Sequence, residues 1–374
     1  MEYISPADYL PNVPPDINLG HYGIGLVGCG SIANTAHLPG YRKAGLKVVA
    51  CCDINPDAAR TTAEKFGIPF WTTDIRELLN LETVRIIDLA LHVDARLSAL
   101  REISRAPRPV LSQKPLAMTF VEATQMFEEI AKLGLVVGVN QQARFAPAHR
   151  AMMRLIERGT IGQVYSIHHA MRSYQDQPDY WWATMRNFNI ADHGNHYIDL
   201  CRYFAKASHP ACPEWSRVHC STTRLGDQNA IDPLIYTANV EFGPAGGREG
   251  TIASLYFNNI VRGFASHQYT WWVDGTEGSV GCRHDRVVLA LGHEPSTLHE
   301  IKIKGSWFPD GFSASMAAFV TKVARGQEVP VSVADNLRTV ALAQAMILSS
   351  AEGRAVTRAE IMGESDHWEE TGHE

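Results

Sequence analysis

Between Gly23 and about Asn140, five short runs that are apolar nearly throughout, "YGIGLVG", "LKVVACC", "VRIIDLAL", "RPVLSQ" and "LVVGV", alternate with longer helical patterns. A run without polar alternation is how a strand reads when both of its faces are covered. The segments between carry helix signals: Asn55-Pro56 supplies an N-cap and a first-turn proline, and Gly45, Gly67 and Gly134 supply stops. Repeated strand and helix alternation predicts a parallel sheet with right-handed crossovers, a doubly wound α/β Rossmann domain.

After "NQQARF" the pattern changes. One helical segment, "APAHRAMMRLIERG", leads into "QVYSIHHAM", "LIYTANVEF", "GTIASLYFNN", "HQYTWWVDG" and "SVGCRHDRVVLAL". These are longer and alternate more, which predicts a large, mostly antiparallel sheet with one covered and one open face. On one of these strands the adjacent His168 and His169 must point to opposite faces, one of them to solvent. Two helical segments, "GFSASMAAFVTKVARG" and "SVADNLRTVALAQAMILSSAEG", close the fold. A chain of 374 residues exceeds one ordinary core. The expected division is an N-terminal extension (1–20), a Rossmann domain (21–144), an α+β domain (145–362) whose last helices can pack back on the first, and an acidic tail (363–374).

Composition excludes several functions. Net charge is −6 and no Lys/Arg-rich run offers a phosphate-tracking surface, so nucleic acid is not an expected partner. No apolar run approaches the roughly 20 residues that span a bilayer. The opening "MEYISPADYLPNVPPDINLG" lacks the basic and apolar regions of a signal peptide, and a cytoplasmic location is expected. Seven cysteines, odd in number and without a C-x-x-C pair, read as reduced thiols.

In "IGLVGCGSIA" the first strand runs into the first helix through a glycine turn. Gly28 permits the tight turn, Gly30 lets backbone approach a pyrophosphate at the helix N-terminus, and Ala33 allows close helix–strand packing. Asp53 follows Gly30 by 23 positions, near the spacing of a ribose-binding carboxylate. Such a carboxylate accepts from a free 2′-hydroxyl and repels a 2′-phosphate, which favours NAD over NADP. The bland reading, that Asp53 caps the next helix, is weakened by Asn55, which is better placed before Pro56.

A second constellation lies in "NIADHGNHYIDL". On a helix Asp192 and His196 are i and i+4, and His196 and Asp199 are i and i+3, so all three share a face. A carboxylate one turn from an imidazole orients the ring and stabilises its charged form, which suits proton removal from an alcohol. Gly194 weakens the helix and leaves room where a ligand could press close. His193, His196, Asp192 and Asp199 are also metal-ligand types, but their spacing is not H-E-x-x-H and no third partner is evident, so no metal is expected. A structural histidine satisfied by neighbouring carboxylates is the remaining alternative. Upstream, "SYQDQPDYWWATMRNF" places Tyr180, Trp181 and Trp182 against a sugar ring, in the core of the second domain or at an interface, with Arg186 and Asn187 available to read hydroxyls.

Three motifs, "GLVGCGSIANTAHLPGY", "SQKPLA" and "DHGNHYID", in this order, resemble the family of glucose–fructose oxidoreductase, inositol 2-dehydrogenase and the rhizopine-catabolism oxidoreductases, over about Gly23 to Ala359. The resemblance implies an NAD(P)-dependent dehydrogenase acting on a secondary hydroxyl of a sugar, sugar derivative or cyclitol. It places Lys114 beside the nicotinamide and gives Asp192 and His196 to the substrate hydroxyl, with His196 as base, Asp192 orienting it and Lys114 stabilising alkoxide charge. Cofactor contacts are expected from Gly28, Gly30, Ser31, Ile32, Asp53, Leu91, His92, Gln113 and Lys114. Gln113 stands where the usual motif has glutamate, so an acceptor oxygen remains without its charge. Substrate contacts are expected from Arg144, Tyr174, Trp181, Trp182, Arg186 and Asn187; "NQQARF", with Asn140 and Arg144, matches the family's domain junction and shapes the cleft. Family dimers and tetramers imply a homodimer or homotetramer through the open sheet face. Two rival readings are a redox-neutral enzyme that recycles a tightly bound NAD for glycoside cleavage, elimination or epimerisation, and a non-catalytic dinucleotide-binding regulator. Retention of Lys114, Asp192 and His196 argues against the regulator.

Overall fold

A computed structural model describes residues 3–11, 13–208, 214–243, 250–283, 285–292 and 297–363. Cys212 and all of the acidic tail beyond Gly363 lie outside the described residues. The chain divides into two compact units, one of Tyr9–Pro147 with Ser306–Leu337, the other of Met1–Asp8 with Ala148–Gly305 and Arg338–Glu374. A short helix, α1 (Pro6–Tyr9), opens the described chain.

The first unit is the doubly wound domain. Six parallel strands, β1 (Gly23–Val27), β2 (Val48–Cys52), β3 (Trp71–Thr72), β4 (Val84–Leu89), β5 (Val110–Gln113) and β6 (Val137–Asn140), lie in the order β3-β2-β1-β4-β5-β6. They are linked by α2 (Leu38–Ala44), α3 (Pro56–Phe66), α4 (Ile75–Leu79), α5 (Val93–Ile103) and α6 (Phe120–Leu133). The strand order reverses between β1 and β4, the place where open α/β sheets bind ligands at the strands' carboxyl ends. Local signals act as the sequence suggests: the Asn55 side chain accepts from the Asp57 and Ala58 N–H groups, and Gly67 ends α3 at φ 68°. Thr119 and Glu122 form a capping box at α6.

The helix after β1 is not α-helical throughout. Residues Ala33–His37 form a π turn, with the Leu38 N–H bonded to the Ala33 carbonyl. Pro39 cannot donate and its ring crowds the preceding turn, and the wider π turn relieves that crowding before α2 proceeds. One core cluster joins Ile24, Ile86, Leu111 and Tyr41 to Met316, Phe319 and Val320 of α9 (Phe312–Ala324), so this late helix belongs to the first sheet. Gly138 is explained by the same contact, because a Cβ there would sit 2.9 Å from the Phe319 ring.

The second unit contains a nine-stranded sheet ordered β14-β13-β12-β11-β7-β10-β9-β8-β15. Its strands are β7 (Val164–Arg172), β8 (Trp215–Thr223), β9 (Ile235–Phe242), β10 (Thr251–Asn258), β11 (Gln268–Gly275), β12 (Gly278–Arg283), β13 (Arg286–Leu291), β14 (Thr297–Lys302) and β15 (Val356–Thr357). Only β7 and β10 pair in parallel; the other neighbours run antiparallel. Helices α7 (Pro147–Glu157), α8 (Asn195–Ser208), α10 (Val333–Glu352) and α11 (Arg358–Met362) complete the described α-helices. All five alternating segments are strands, the last of them split into β12 and β13; β8, β14 and β15 fall outside them. His169 is buried and His168 exposed, as strand alternation requires. One face carries Ile167, Ala253, Leu255, Trp271 and Val273, all buried. In register across the other face run Asn239, Ser254, His168, Trp272, Gly281 and Val288. No helix among the described residues is long and apolar enough to cross a membrane.

Candidate active-site elements

The glycine turn is built to take a ligand on its outer side only. Gly28 sits at φ +98°, and a Cβ there would lie 2.5 Å from the Ala90 carbonyl oxygen, so the turn is clamped against the end of β4. At Gly30 a Cβ would meet nothing within 4 Å, which leaves the backbone open on that side. A helical run begins at Ser31 and continues to Ala44, presenting its first N–H groups at the same point. Asp53, at the end of β2, accepts from the Cys29 N–H with Oδ2 (2.8 Å) and from the Asn55 N–H with Oδ1 (2.9 Å). Each carboxylate oxygen has a second lone pair for a ribose hydroxyl. An open glycine, a helix start and a carboxylate at the neighbouring strand end together fit a dinucleotide.

Lys114 follows β5 in a turn whose bracing the sequence alone does not reveal. Arg96 of α5 is buried and donates Nε to the Leu91 carbonyl (3.0 Å), Nη2 to the Lys114 carbonyl (3.1 Å) and Nη1 to the Pro115 carbonyl. One guanidinium fork thus ties the turn after β4, which holds Leu91 and His92, to the turn that holds Lys114. Gln113 is buried, and its Oε1 accepts the Lys114 N–H at 3.1 Å. No sequence signal marks Arg96, since an arginine on an amphipathic helix ordinarily reads as solvated surface.

The segment holding Asp192 and His196 differs from the expected helix. Phe188–His193 is a π helix, Gly194 follows at φ −66°, and only then does α8 begin at Asn195. Asp192 and His196 therefore stand on either side of a π-to-α junction, not one turn apart on a single α-helix. The reason is Gly194. A Cβ there would lie 2.8 Å from the carbonyls of Asn189 and Ile190 and 2.9 Å from the Tyr236 hydroxyl, so the glycine admits the protein's own backbone, and the expectation of a ligand at that spot is corrected. From Phe188 to Arg202 every residue is buried except Asp192 and His193, which are half-buried. His196 is 7 % exposed.

Asp199 lies on α8 three residues after His196, and it also has partners beyond that helix face. It is fully buried, accepts from Thr339 Oγ1 at 2.9 Å, and lies 3.8 Å from Arg202, which pairs with Glu214 at 2.6 Å. That network fastens α8 to α10. The π segment is itself held by Asp232, whose carboxylate accepts the N–H groups of Asn187 (2.8 Å) and Asn189 (3.1 Å). Burial pushes the Asp232 carboxyl above its usual range, and the two N–H donors oppose that shift. Asn187 is the one non-glycine residue at positive φ (60°) among the described residues, a conformation asparagine tolerates at a helix start.

The remaining expected substrate contacts divide. Trp182 stacks on Phe188 (5.2 Å, 5°) and meets Trp181 edge-on (5.7 Å), while Trp181 itself is 52 % exposed and Arg186 is exposed. Tyr174 is half-buried, edge-on to Phe264 at 6.3 Å. Arg144, in the first unit, is buried and paired with Asp335 at 2.7 Å, so it anchors the turn after β6 to the start of α10. Among the described residues no group of three or more His, Cys, Asp or Glu is arranged to hold a metal ion.

Comparison with known proteins adds an independent line. Residues 22–141 match the family described as "Oxidoreductase family, NAD-binding Rossmann fold", and residues 149–281 match "GFO/IDH/MocA C-terminal domain". D-apiose dehydrogenase of Paraburkholderia graminis is 25% identical over 353 residues, covering 91% of this chain and 90% of the relative. Inositol 2-dehydrogenase of Rhizobium meliloti is 23% identical, covering 90% and 98%. A crystal structure of an oxidoreductase from Agrobacterium radiobacter, in complex with NAD+, L-tartaric acid and magnesium, aligns with a TM-score of 0.78 at 21% identity, over 91% of this chain and 99% of that one.

Proposed function

The chain belongs to the GFO/IDH/MocA oxidoreductase family, whose N-terminal domain is an NAD-binding Rossmann fold, and from that premise we propose that it oxidises a secondary hydroxyl of a sugar, sugar derivative or cyclitol with NAD as acceptor. The observation that carries the reading is the accessibility of the π segment: in a stretch otherwise closed to solvent, the opening falls on Asp192 and His193, just before the junction that leads to His196. Relatives are named for D-apiose and inositol, both polyhydroxylated, which supports this substrate class.

Removing two hydrogens from a carbinol needs an acceptor for hydride and a base for the hydroxyl proton. Bound at the Gly28–Gly30 turn, NAD supplies the hydride acceptor. His196 takes the hydroxyl proton, Asp192 orients the imidazole and stabilises its cationic form, and the Lys114 ammonium stabilises the alkoxide that develops. Asp53 favours NAD over NADP, because a carboxylate already in place at the end of β2 repels a 2′-phosphate. Trp181, exposed at 52 %, offers a ring face for the apolar side of a sugar.

The open sheet face, with Trp272 and an Ile252 that is 54 % exposed, makes a homodimer or homotetramer. The same reading places the enzyme in a reducing cytoplasm, where the six described cysteines remain buried free thiols. To test the reading, purified protein is first checked for bound nucleotide, and then a panel of sugars and cyclitols is added with NAD+ while absorbance at the NADH band is followed. Accumulating NADH with one or more of them supports a dehydrogenase; product formed without NADH accumulation replaces it with a redox-neutral reaction.

A further inference from the structure

We infer that His193 is fixed as a neutral Nε2–H hydrogen-bond donor and reads a second oxygen of the polyol, beside the hydroxyl that is oxidised; this rests on the dehydrogenase reading above. The tautomer follows from a chain of hydrogen bonds that starts at an atom with no choice. The Pro233 carbonyl can only accept, so the Asn189 side-chain group 3.0 Å from it is Nδ2. Asn189 Oδ1 must then face Asn259, and the Asn259 atom 2.7 Å away must be Nδ2. At the other end of the same amide, Asn259 Oδ1 accepts from Ser173 Oγ at 2.8 Å. The second Asn259 amide hydrogen is directed to His193 Nδ1 at 3.2 Å. Nδ1 is therefore an acceptor, and in the neutral ring the proton lies on Nε2. A proton on Nδ1 would set two donors against each other.

The ring is also immobilised by packing. It lies parallel to Phe188 (6.3 Å, 6°) and meets Tyr197 (5.7 Å) and Phe257 (6.3 Å) edge-on. Asn259 is in turn fixed through its backbone, with its N–H bonded to the Leu234 carbonyl and its carbonyl to the Gln175 N–H. Burying this many amides merely to hold one half-buried imidazole is costly unless the orientation of that ring matters. Location supplies the rest: His193 shares with Asp192 the two half-buried places on an otherwise buried segment. A polyol bound at Asp192 offers acceptor oxygens on neighbouring carbons, and an N–H held in one direction discriminates among their configurations.

The test has a spectroscopic arm and a functional arm. In the full-length protein labelled with 15N-histidine, with His193 assigned by loss of its signals in His193→Gln, the expected spectrum shows an unprotonated Nδ1 and a protonated Nε2. Asn259→Leu should abolish that preference. For function, D-apiose, myo-inositol and D-glucose serve as probes, read both by NADH formation and by quenching of NADH fluorescence in the non-reacting enzyme–NADH–polyol complex. His193→Phe keeps the ring volume without the donor, and should raise KM for the preferred probe about 10-fold while kcat changes less than about 3-fold. His193→Gln, which restores an N–H, should recover most of the loss. A protonated Nδ1, or wild-type affinity of His193→Phe for every probe, overturns the inference and leaves the dehydrogenase reading standing. Probes that bind in a His193-dependent way but are never oxidised support the role of His193 and overturn the dehydrogenase reading instead. Absence of both binding and oxidation across the panel counts against both.

Discussion

The backbone N–H of Cys29 donates to Asp53 Oδ2 at 2.8 Å, so the carboxylate expected to read the cofactor's ribose also holds the glycine turn to the neighbouring strand. Two consequences are bound together in that contact. Asp53→Ala removes a charge-assisted acceptor from the turn and the repulsion of a 2′-phosphate at once. KM for NAD+ should rise about 10- to 100-fold, and the NAD+ to NADP+ ratio of kcat/KM should fall. Initial rates with the two cofactors check this; an unchanged ratio removes Asp53 from cofactor selection.

Glycines 28 and 30 are equally glycine in the sequence and differ physically. At Gly28 both the backbone angle and the Ala90 carbonyl forbid a side chain, whereas at Gly30 a methyl group meets empty space. Gly28→Ala should therefore destabilise the protein by about 1–3 kcal/mol or more. Gly30→Ala should melt like the wild type and bind NAD at least about 10-fold more weakly, because the methyl group occupies the pyrophosphate's approach. Thermal melting set beside NAD titration distinguishes the two.

Five strands of the first sheet were legible because they are largely buried on both faces and α2, α3 and α6 end in glycine stops, Gly45, Gly67 and Gly134; β3, two residues long with Trp71 exposed, carries no such signal. The glycine turn and Asp53 were legible for the same reason, being local features at fixed spacing. What escaped depends on contacts remote in sequence. Gly194 reads as a helix weakness until Tyr236 and the Asn189 carbonyl are seen beside it. Arg96 reads as surface until its fork is found on three carbonyls of two other turns. Asp199 has a plausible partner one turn away, but its bond to Thr339, in a network with Arg202, reaches 140 positions along the chain. Local periodicity also had no means of distinguishing an α from a π turn at Phe188–His193, since that choice is made by Asp232 and by the space at Gly194.

The proposed base makes a separable prediction. His196 lies in the second unit, while the glycine turn and Asp53 lie in the first. His196→Ala should lower kcat about 10²-fold or more with whichever polyol proves to be a substrate. NAD affinity should stay within about twofold of wild type. Wild-type turnover in this variant would exclude His196 as the base, and loss of NAD binding would mean that its role is structural.

His169 should leave a signature in the acid stability of the protein. It is fully buried, stacked between Trp271 (4.1 Å) and Tyr197 (4.8 Å), and donates Nδ1–H to the Thr270 carbonyl at 2.8 Å. Burial, the largest influence, holds its pKa well below the ordinary value of 6.5, so the folded protein keeps it neutral. As pH falls through 6.5 the unfolded chain takes up a proton that the folded chain refuses, and the loss of stability steepens toward a limit of about 1.4 kcal/mol per pH unit for this one group. Above pH 6.5 both states are neutral and the group contributes no slope. His169→Phe loses the Thr270 hydrogen bond at every pH but cannot take up the proton. Its urea-unfolding free energy should therefore fall less steeply between pH 6.5 and 5.5, by about 1 kcal/mol over that unit. Parallel profiles for the two proteins would show that His169 is protonated in the folded state.

The proposed self-association can be tested without touching either set of active-site elements. Trp272 and Ile252 belong to the sheet face opposite Trp271 and Val273, on rows that also carry His168, Ser254 and Asn239, and Ile252 is 54 % exposed in the single chain. A specific interface covers about 800 Å² per partner, and charge at its centre is poorly tolerated. Within one chain the Ile252 replacement costs little, since surface replacements usually stay within about 0.5 kcal/mol, while Trp272, half-buried over Gly281, is the costlier of the two. Ile252→Glu with Trp272→Arg should thus convert a dimer or tetramer to a monomer, seen by light scattering at micromolar concentration, with little change in the far-UV spectrum. If the wild-type protein already runs as a monomer, or the double variant keeps its mass, the association proceeds through some other surface or not at all.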